Sequence, residues 1–212
     1  VYKRQTYEEM YWKYEYNRFF DSFEHYYSLY HHRNLELWAE YADGKVTKEE
    51  LNRQRYLYPL KAVGICDSAL AKAYEKDALA AIPTKSKLMP HAREVLEYLS
   101  SKYNLYILSN GFKELQSHKM HSSGIDKYFK KIVLSDDIGV LKPWPEIFYF
   151  ALSATQSELK DSLMIGDSWE NDIAGAAGVG MHQVFYNLSG RMDLPFMPTY
   201  QISDLKELLD LL

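Results

Sequence analysis

From Leu88 to the C-terminus, short β-rich apolar runs alternate with stretches of helical periodicity, and this alternation narrows the fold more than any other feature of the chain. The spacing predicts helix over 90–101, strand over 105–109, helix over 112–122, strand over 131–135, helix over 145–154, strand over 162–166, helix over 170–177 and strand over 182–186. Parallel strands need a crossover long enough to hold a helix, so this order specifies an α/β fold with a parallel sheet. Gly124 suits a helix C-terminus and Pro145 the first turn of the next helix. A short strand near residues 200–202 and a helix capped by Ser203 or Asp204 complete the pattern.

Ahead of Pro83 the composition is different. Residues 1–81 hold 12 of the 19 tyrosines and a single proline, Pro59, which suits long helices. Helices are expected over 6–15, 20–42, 47–63 and 67–81, broken by Asp43-Gly44 and Gly64. Thr47-Lys48-Glu49-Glu50 fits a capping box, and Asp67 can cap the next helix. Tyr7, Tyr11, Tyr14, Tyr26, Tyr27, Tyr30, Trp38 and Tyr41 fall largely at helical spacing, which points to helix–helix packing. The chain is therefore divided into a helical unit, residues 1–83, and an α/β unit, residues 84–212.

A net charge of −4 provides no basic surface for nucleic acid or for an anionic membrane. Neither a signal peptide nor a run long enough to span a membrane is present. A lone cysteine, Cys66, cannot form an intrachain disulfide and suits a reducing cytoplasm. The Asn187-Leu188-Ser189 sequon then reads as a chance match.

In open parallel sheets, ligands bind beyond the carboxyl ends of the strands, where loops and helix N-termini converge. Three segments place chemistry there. The strand ending at Ser109 delivers Ser109, Asn110 and Gly111 to a helix start, offering a hydroxyl, an amide and backbone N–H groups to an anion such as a phosphoryl group. Lys142 stands in a loop stiffened by Pro143 and Pro145. The apolar run Leu163-Met164-Ile165 enters a glycine turn at Gly166 that carries Asp167 and, five residues later, Asp172. Asp167 reads as a magnesium ligand, because Mg²⁺ favours a few carboxylates completed by water and phosphate oxygens. Asp172 is placed to accept from Lys142 or from metal-bound water and to favour a helix N-terminus. Taken singly, each segment also has a plain reading: a capped helix start, a solvated loop lysine and an ordinary turn. Trp144 and Trp169, beside these loops, are candidates either for lining an entrance or for partial burial. The run Gly175–Gly180 follows a helix rather than a strand, so it reads as a helix stop with close packing, not as a dinucleotide loop. His118 and His121 share a helix face without further ligands and read as surface residues.

Together, Leu105–Gly111, Val140-Leu141-Lys142-Pro143 and Gly166-Asp167-Ser168-x-x-x-Asp172 resemble the second, third and fourth motifs of the haloacid dehalogenase-like (HAD) hydrolase superfamily, with a helical insert ahead of them. The resemblance implies a Rossmann-like parallel core with a helical cap, in which Lys142 pairs with the nucleophile and phosphate. Asp167, where metal-free dehalogenases usually carry serine, favours a Mg²⁺-dependent phosphatase of small phosphate monoesters. The motifs look most like the noncanonical pyrimidine nucleotidase branch, so a nucleoside monophosphate is the implied substrate. Ser109, Lys142 and Asp172 are the implied catalytic residues, Asn110 and Gly111 the substrate contacts and Asp167 the metal ligand. The family's nucleophile lies in an Asp-x-Asp motif on a central first strand, and no Asp-x-Asp occurs in these 212 residues. Val1 is not an initiator methionine and helical patterning starts almost at once, so the expectation is an N-terminally truncated, inactive fragment lacking that strand. A non-catalytic binding protein with the same fold and a metal-independent dehalogenase are the alternatives.

Overall fold

Tyrosine rather than leucine fills the core of the first unit. The computed structural model describes residues 2–212, with side chains from Arg4 onward, and the chain divides into Val1–Ser86 and Lys87–Leu212. Helices α1 (Tyr2–Lys13), α2 (Phe23–Ala42), α3 (Lys48–Ala62) and α4 (Ser68–Ala81) make up the first unit. Pro83 does not end it, because a single turn, Ile82–Thr84, carries the chain through the proline. The second helix starts at Phe23 rather than near residue 20, since the Ser22 hydroxyl accepts from the His25 N–H at 3.1 Å and caps it there. Thr47 and Glu50 form the reciprocal capping box on α3, and Asp67 accepts from the Leu70 N–H at 2.8 Å.

Tyr7, Tyr11, Tyr26, Tyr30, Tyr56 and Tyr74 are buried together. The Tyr7 and Tyr30 hydroxyls share a 2.7 Å hydrogen bond, and the Tyr74 hydroxyl donates to the Tyr7 carbonyl at 2.9 Å. Tyr16 stacks on Tyr74 with ring centroids 4.9 Å apart. Arg55 is buried in the same core, its guanidinium 5.0 Å from the centre of the Tyr56 ring. Trp38 and Tyr41 meet each other edge-on and remain half-buried.

The second unit alternates as its sequence requires: α5 (Ala92–Lys102), β1 (Leu105–Ser109), α6 (Lys113–Ser123), β2 (Phe129–Leu134), α7 (Pro145–Thr155), β3 (Leu163–Gly166), α8 (Gly175–Gly178), β4 (His182–Tyr186), β5 (Tyr200–Ile202) and α9 (Leu208–Leu211). All strand pairs are parallel. They form two sheets, β1-β2 and β3-β4-β5. Ser109 stands opposite Leu134, and Gly166 opposite Phe185.

The two sheets lie between the same pair of apolar layers. Leu105 of β1 and Leu163 and Ile165 of β3 pack against Val95, Leu99 and Leu208 of α5 and α9. On the other face, Leu108 of β1 and Met164 of β3 pack against Ile147, Phe148 and Ala176 of α7 and α8. Burial on both faces is the condition under which parallel sheets occur. Among the described residues, β1 and β3 each keep one unpaired edge, and every residue of both strands is only half-buried. By contrast, Gln183, Val184 and Phe185 in β4 are buried.

The helix expected over 170–177 is not a regular α-helix. Trp169–Ala174 forms a wide π-type turn that runs into the four residues of α8. Gly175 packs there so closely that a Cβ would come within 2.8 Å of the Phe148 ring. No helix among the described residues is long and apolar enough to cross a membrane.

Candidate functional site

The carboxyl ends of β1 and β3 bring the sequence motifs together. Ser109 is the last residue of β1, and its Oγ accepts hydrogen bonds from the Gly111 N–H at 3.0 Å and from Gln116 Nε2 at 2.7 Å. Gln116 belongs to α6 and carries no motif signal; its seven-residue separation from Ser109 spans a strand end, a turn and a helix start.

Asn110 reaches sideways to the Lys142 loop. Its Nδ2 donates to the Lys142 carbonyl at 2.9 Å, and its Oδ1 accepts from the Lys142 N–H at 2.7 Å. This reciprocal pair satisfies both main-chain groups of Lys142 and holds the loop at the end of β1. The N–H of Gly111 is likewise engaged with Ser109. Lys142 then extends inward: Nζ donates to the Leu108 carbonyl at 2.7 Å and to Asp172 Oδ1 at 2.6 Å. Three donors sit on an ammonium, so one remains for a ligand.

Asp172 is set by the turn after β3. Its Oδ2 accepts from the Ser168 N–H at 3.1 Å, and the Ser168 hydroxyl accepts from the Asn171 N–H at 3.2 Å. The side chain lies directly over Gly166, where a Cβ would come within 2.3 Å of Asp172 Oδ2. The Lys142 and Asp172 side chains are only 10% and 8% exposed, so their charges meet with little water to screen them. This ion pair joins the end of the β1-β2 sheet to the turn that leaves the other one.

Asp167 points elsewhere. Its residue is exposed, and its carboxylate forms no hydrogen bond or ion pair among the described residues. It borders a cavity of about 310 Å³ lined by Met89, Ile165, Gly166, Asp167, Tyr186, Leu188 and Leu205. Burial raises the Tyr186 pKa, and the negative charges of Asp204 and Asp167 raise it further, so this hydroxyl stays protonated. Described residues contain no group of three His, Cys, Asp or Glu side chains able to enclose a metal. A lone carboxylate still fits Mg²⁺, which takes one or two carboxylates and completes its octahedron with water and phosphate oxygens.

Trp144 is 49% exposed beside the Lys142 loop, whereas Trp169 is buried, edge-on to Phe185 at 5.2 Å and against Phe196 at 4.8 Å. Asn187 is also buried, with its amide bonded to the Arg191 main chain. Chemically, the end of β1 presents a hydroxyl beside the Lys142 ammonium, a pair suited to an anion, while Asp167 after β3 presents a free carboxylate to the cavity beside Tyr186.

Comparison with known proteins yields one family. Residues 4–180 match haloacid dehalogenase-like hydrolase. HAD-hydrolase YfnB of Bacillus subtilis (strain 168) is 31% identical over 182 residues, covering 84% of this chain and 76% of YfnB. Pyrimidine 5'-nucleotidase YjjG of Escherichia coli (strain K12) is 31% identical over 181 residues, covering 84% of this chain and 79% of YjjG. A crystal structure of YfnB bound to magnesium superimposes with a TM-score of 0.86 at 25% identity, covering 99% of this chain and 92% of that one.

Proposed function

Because the chain belongs to the haloacid dehalogenase-like hydrolase family, we propose that its strand-end site serves a magnesium-dependent phosphatase acting on small phosphate monoesters, with nucleoside 5'-monophosphates as the favoured substrates. The observation that carries this reading is the buried Lys142–Asp172 pair at 2.6 Å beside the fixed Ser109 hydroxyl, with the exposed Asp167 directly after β3. The nucleotide preference rests on the likeness to a pyrimidine 5'-nucleotidase.

In this reading, Ser109 donates its proton to a phosphoryl oxygen and Lys142 donates its remaining N–H to another. Both act as preorganised donors that need no reorientation as charge moves onto the phosphoryl group. Asp172 aims the ammonium, and Asn110 and Gly111 complete the anion loop by holding Lys142 and Ser109. Asp167 would hold Mg²⁺, whose charge polarises the phosphoryl oxygens. The reaction proceeds by attack of an aspartate oxygen on phosphorus, expulsion of the alcohol with a proton from a second aspartate, and hydrolysis of the aspartyl-phosphate by water. Neither of those aspartates lies in an Asp-x-Asp pair in these 212 residues. The reading therefore requires a strand carrying them, and the unpaired edges of β1 and β3 support its place between those two strands. By itself the chain is expected to be inactive. A reducing, cytoplasmic setting suits its free, exposed Cys66.

The test is a panel of phosphate monoesters that includes nucleoside 5'-monophosphates. It is run with Mg²⁺ on this chain and on the same chain extended at its N-terminus by a strand bearing paired aspartates. Turnover is expected only from the extended chain, abolished by EDTA and by Asp167→Asn. Halide release from 2-haloacids that survives EDTA would establish a dehalogenase instead. No hydrolysis of either kind would leave the binding protein.

A further inference from the structure

We propose that Gln116 is a positioning residue for Ser109: its side-chain amide, together with the Gly111 N–H, fills the acceptor sites of Ser109 Oγ and so turns the hydroxyl proton outward toward an anionic oxygen. The inference rests on the anion-site reading above and gives it a device for orienting its hydroxyl. A serine hydroxyl has one proton and two lone pairs. The Gly111 N–H reaches Oγ at 3.0 Å and Gln116 Nε2 reaches it at 2.7 Å, so both lone pairs are engaged from the protein side. Only the donor direction is left for a ligand.

Packing shows that this contact is built into the turn. An added Cβ at Gly111 would lie 2.2 Å from Gln116 Nε2 and 2.9 Å from its Cδ and Cγ, so a side chain at 111 would expel the glutamine. Gln116 is rooted in α6, its N–H donating to the Phe112 carbonyl at 3.0 Å. The amide therefore approaches Ser109 from a fixed helical position through a gap that glycine leaves open. A hydroxyl rotor at a strand end would otherwise sample several directions; fixing it before binding removes an ordering cost from the bound state.

Inorganic phosphate is the probe, titrated into the 212-residue chain while ¹H–¹⁵N spectra are recorded for the wild type, Gln116→Met, Ser109→Ala and the double variant. Methionine keeps the length of glutamine without its donor, and Gln116→Leu replaces it where Gln116→Met does not fold. Loss of one oriented hydrogen bond is expected to weaken phosphate binding about three- to tenfold in Gln116→Met. In the Ser109→Ala background the same substitution should add nothing, because the two side chains act through one contact. The Gln116 side-chain NH₂ resonance should also move in Ser109→Ala. Phosphate binding by Gln116→Met that equals or exceeds wild type would overturn the inference, since Gln116 would then not turn the Ser109 hydroxyl toward the anion. An effect of Gln116→Met that persists undiminished without the Ser109 hydroxyl would overturn it as well, while leaving the anion site standing. If wild type binds no phosphate, the site reading falls and the role of Gln116 falls with it.

Discussion

Gly166 carries more of the site than its lack of a side chain suggests. The Asp172 carboxylate folds back over it, and a methyl group there would lie 2.3 Å from Oδ2 and 2.4 Å from Cγ. Gly166→Ala is therefore expected to push Asp172 off Lys142 and to cost about 1 to 3 kcal/mol, the usual range for overpacking a close contact. Urea denaturation gives the midpoint shift; an unchanged midpoint would show that Asp172 has other room. The turn itself was legible in the residues, because a glycine after an apolar strand followed by two spaced acids is a local pattern. That Asp172 would return over Gly166 was not legible, because it depends on the π-type geometry of Trp169–Ala174, which replaces the expected regular helix.

At the scale of elements, Lys142 ties the two sheets. Its ammonium takes the Leu108 carbonyl at the end of β1 and the carboxylate that follows β3, at 2.7 and 2.6 Å. Removing one partner of such a buried pair strands the other charge away from water. Asp172→Ala should accordingly destabilise the second unit by about 3 to 5 kcal/mol, and Lys142→Met in the same chain should recover much of that loss. Denaturant melts of the two variants decide it: if the double variant is no more stable than Asp172→Ala, the stranded ammonium is not the cause. Neither effect could be scaled from the motif alone, since burial of both side chains sets the size of the penalty.

Across the whole molecule, the strongest upward pKa shifts fall on buried tyrosines. Burial raises the pKa of Tyr7, Tyr26 and Tyr56 well above the ordinary value. Tyr14 is pushed up to about 12, first by burial and then by its hydrogen bond to Asp77 and that carboxylate's charge. A group whose folded pKa is raised stabilises fully below its unfolded value, near 10 for tyrosine, and loses that contribution as pH climbs through the folded value. The helical unit should thus hold its stability to about pH 10 and lose it progressively as the pH rises further. Circular dichroism and tyrosinate absorbance, followed together from about pH 8 upward, should show delayed ionisation coincident with loss of helix. Ionisation of all 19 tyrosines near pH 10 with the helical signal intact would contradict the tyrosine core. The amino-acid sequence by itself determined most of the helices, their caps at Thr47 and Asp67, the parallel α/β alternation and the placing of Ser109 at the end of β1 and of Asp167 just after β3. Periodicity, capping and turn chemistry act over a few residues, so they can be read along the chain. Only the tertiary structure selected Lys142 as the partner of Asp172 from the alternatives open to it, and showed that Asn110 clamps the Lys142 backbone, that Gln116 reaches Ser109 and that, among the described residues, β1 and β3 each keep an unpaired edge. Those contacts depend on how strands and helices converge in space, and most of them join residues some thirty positions apart.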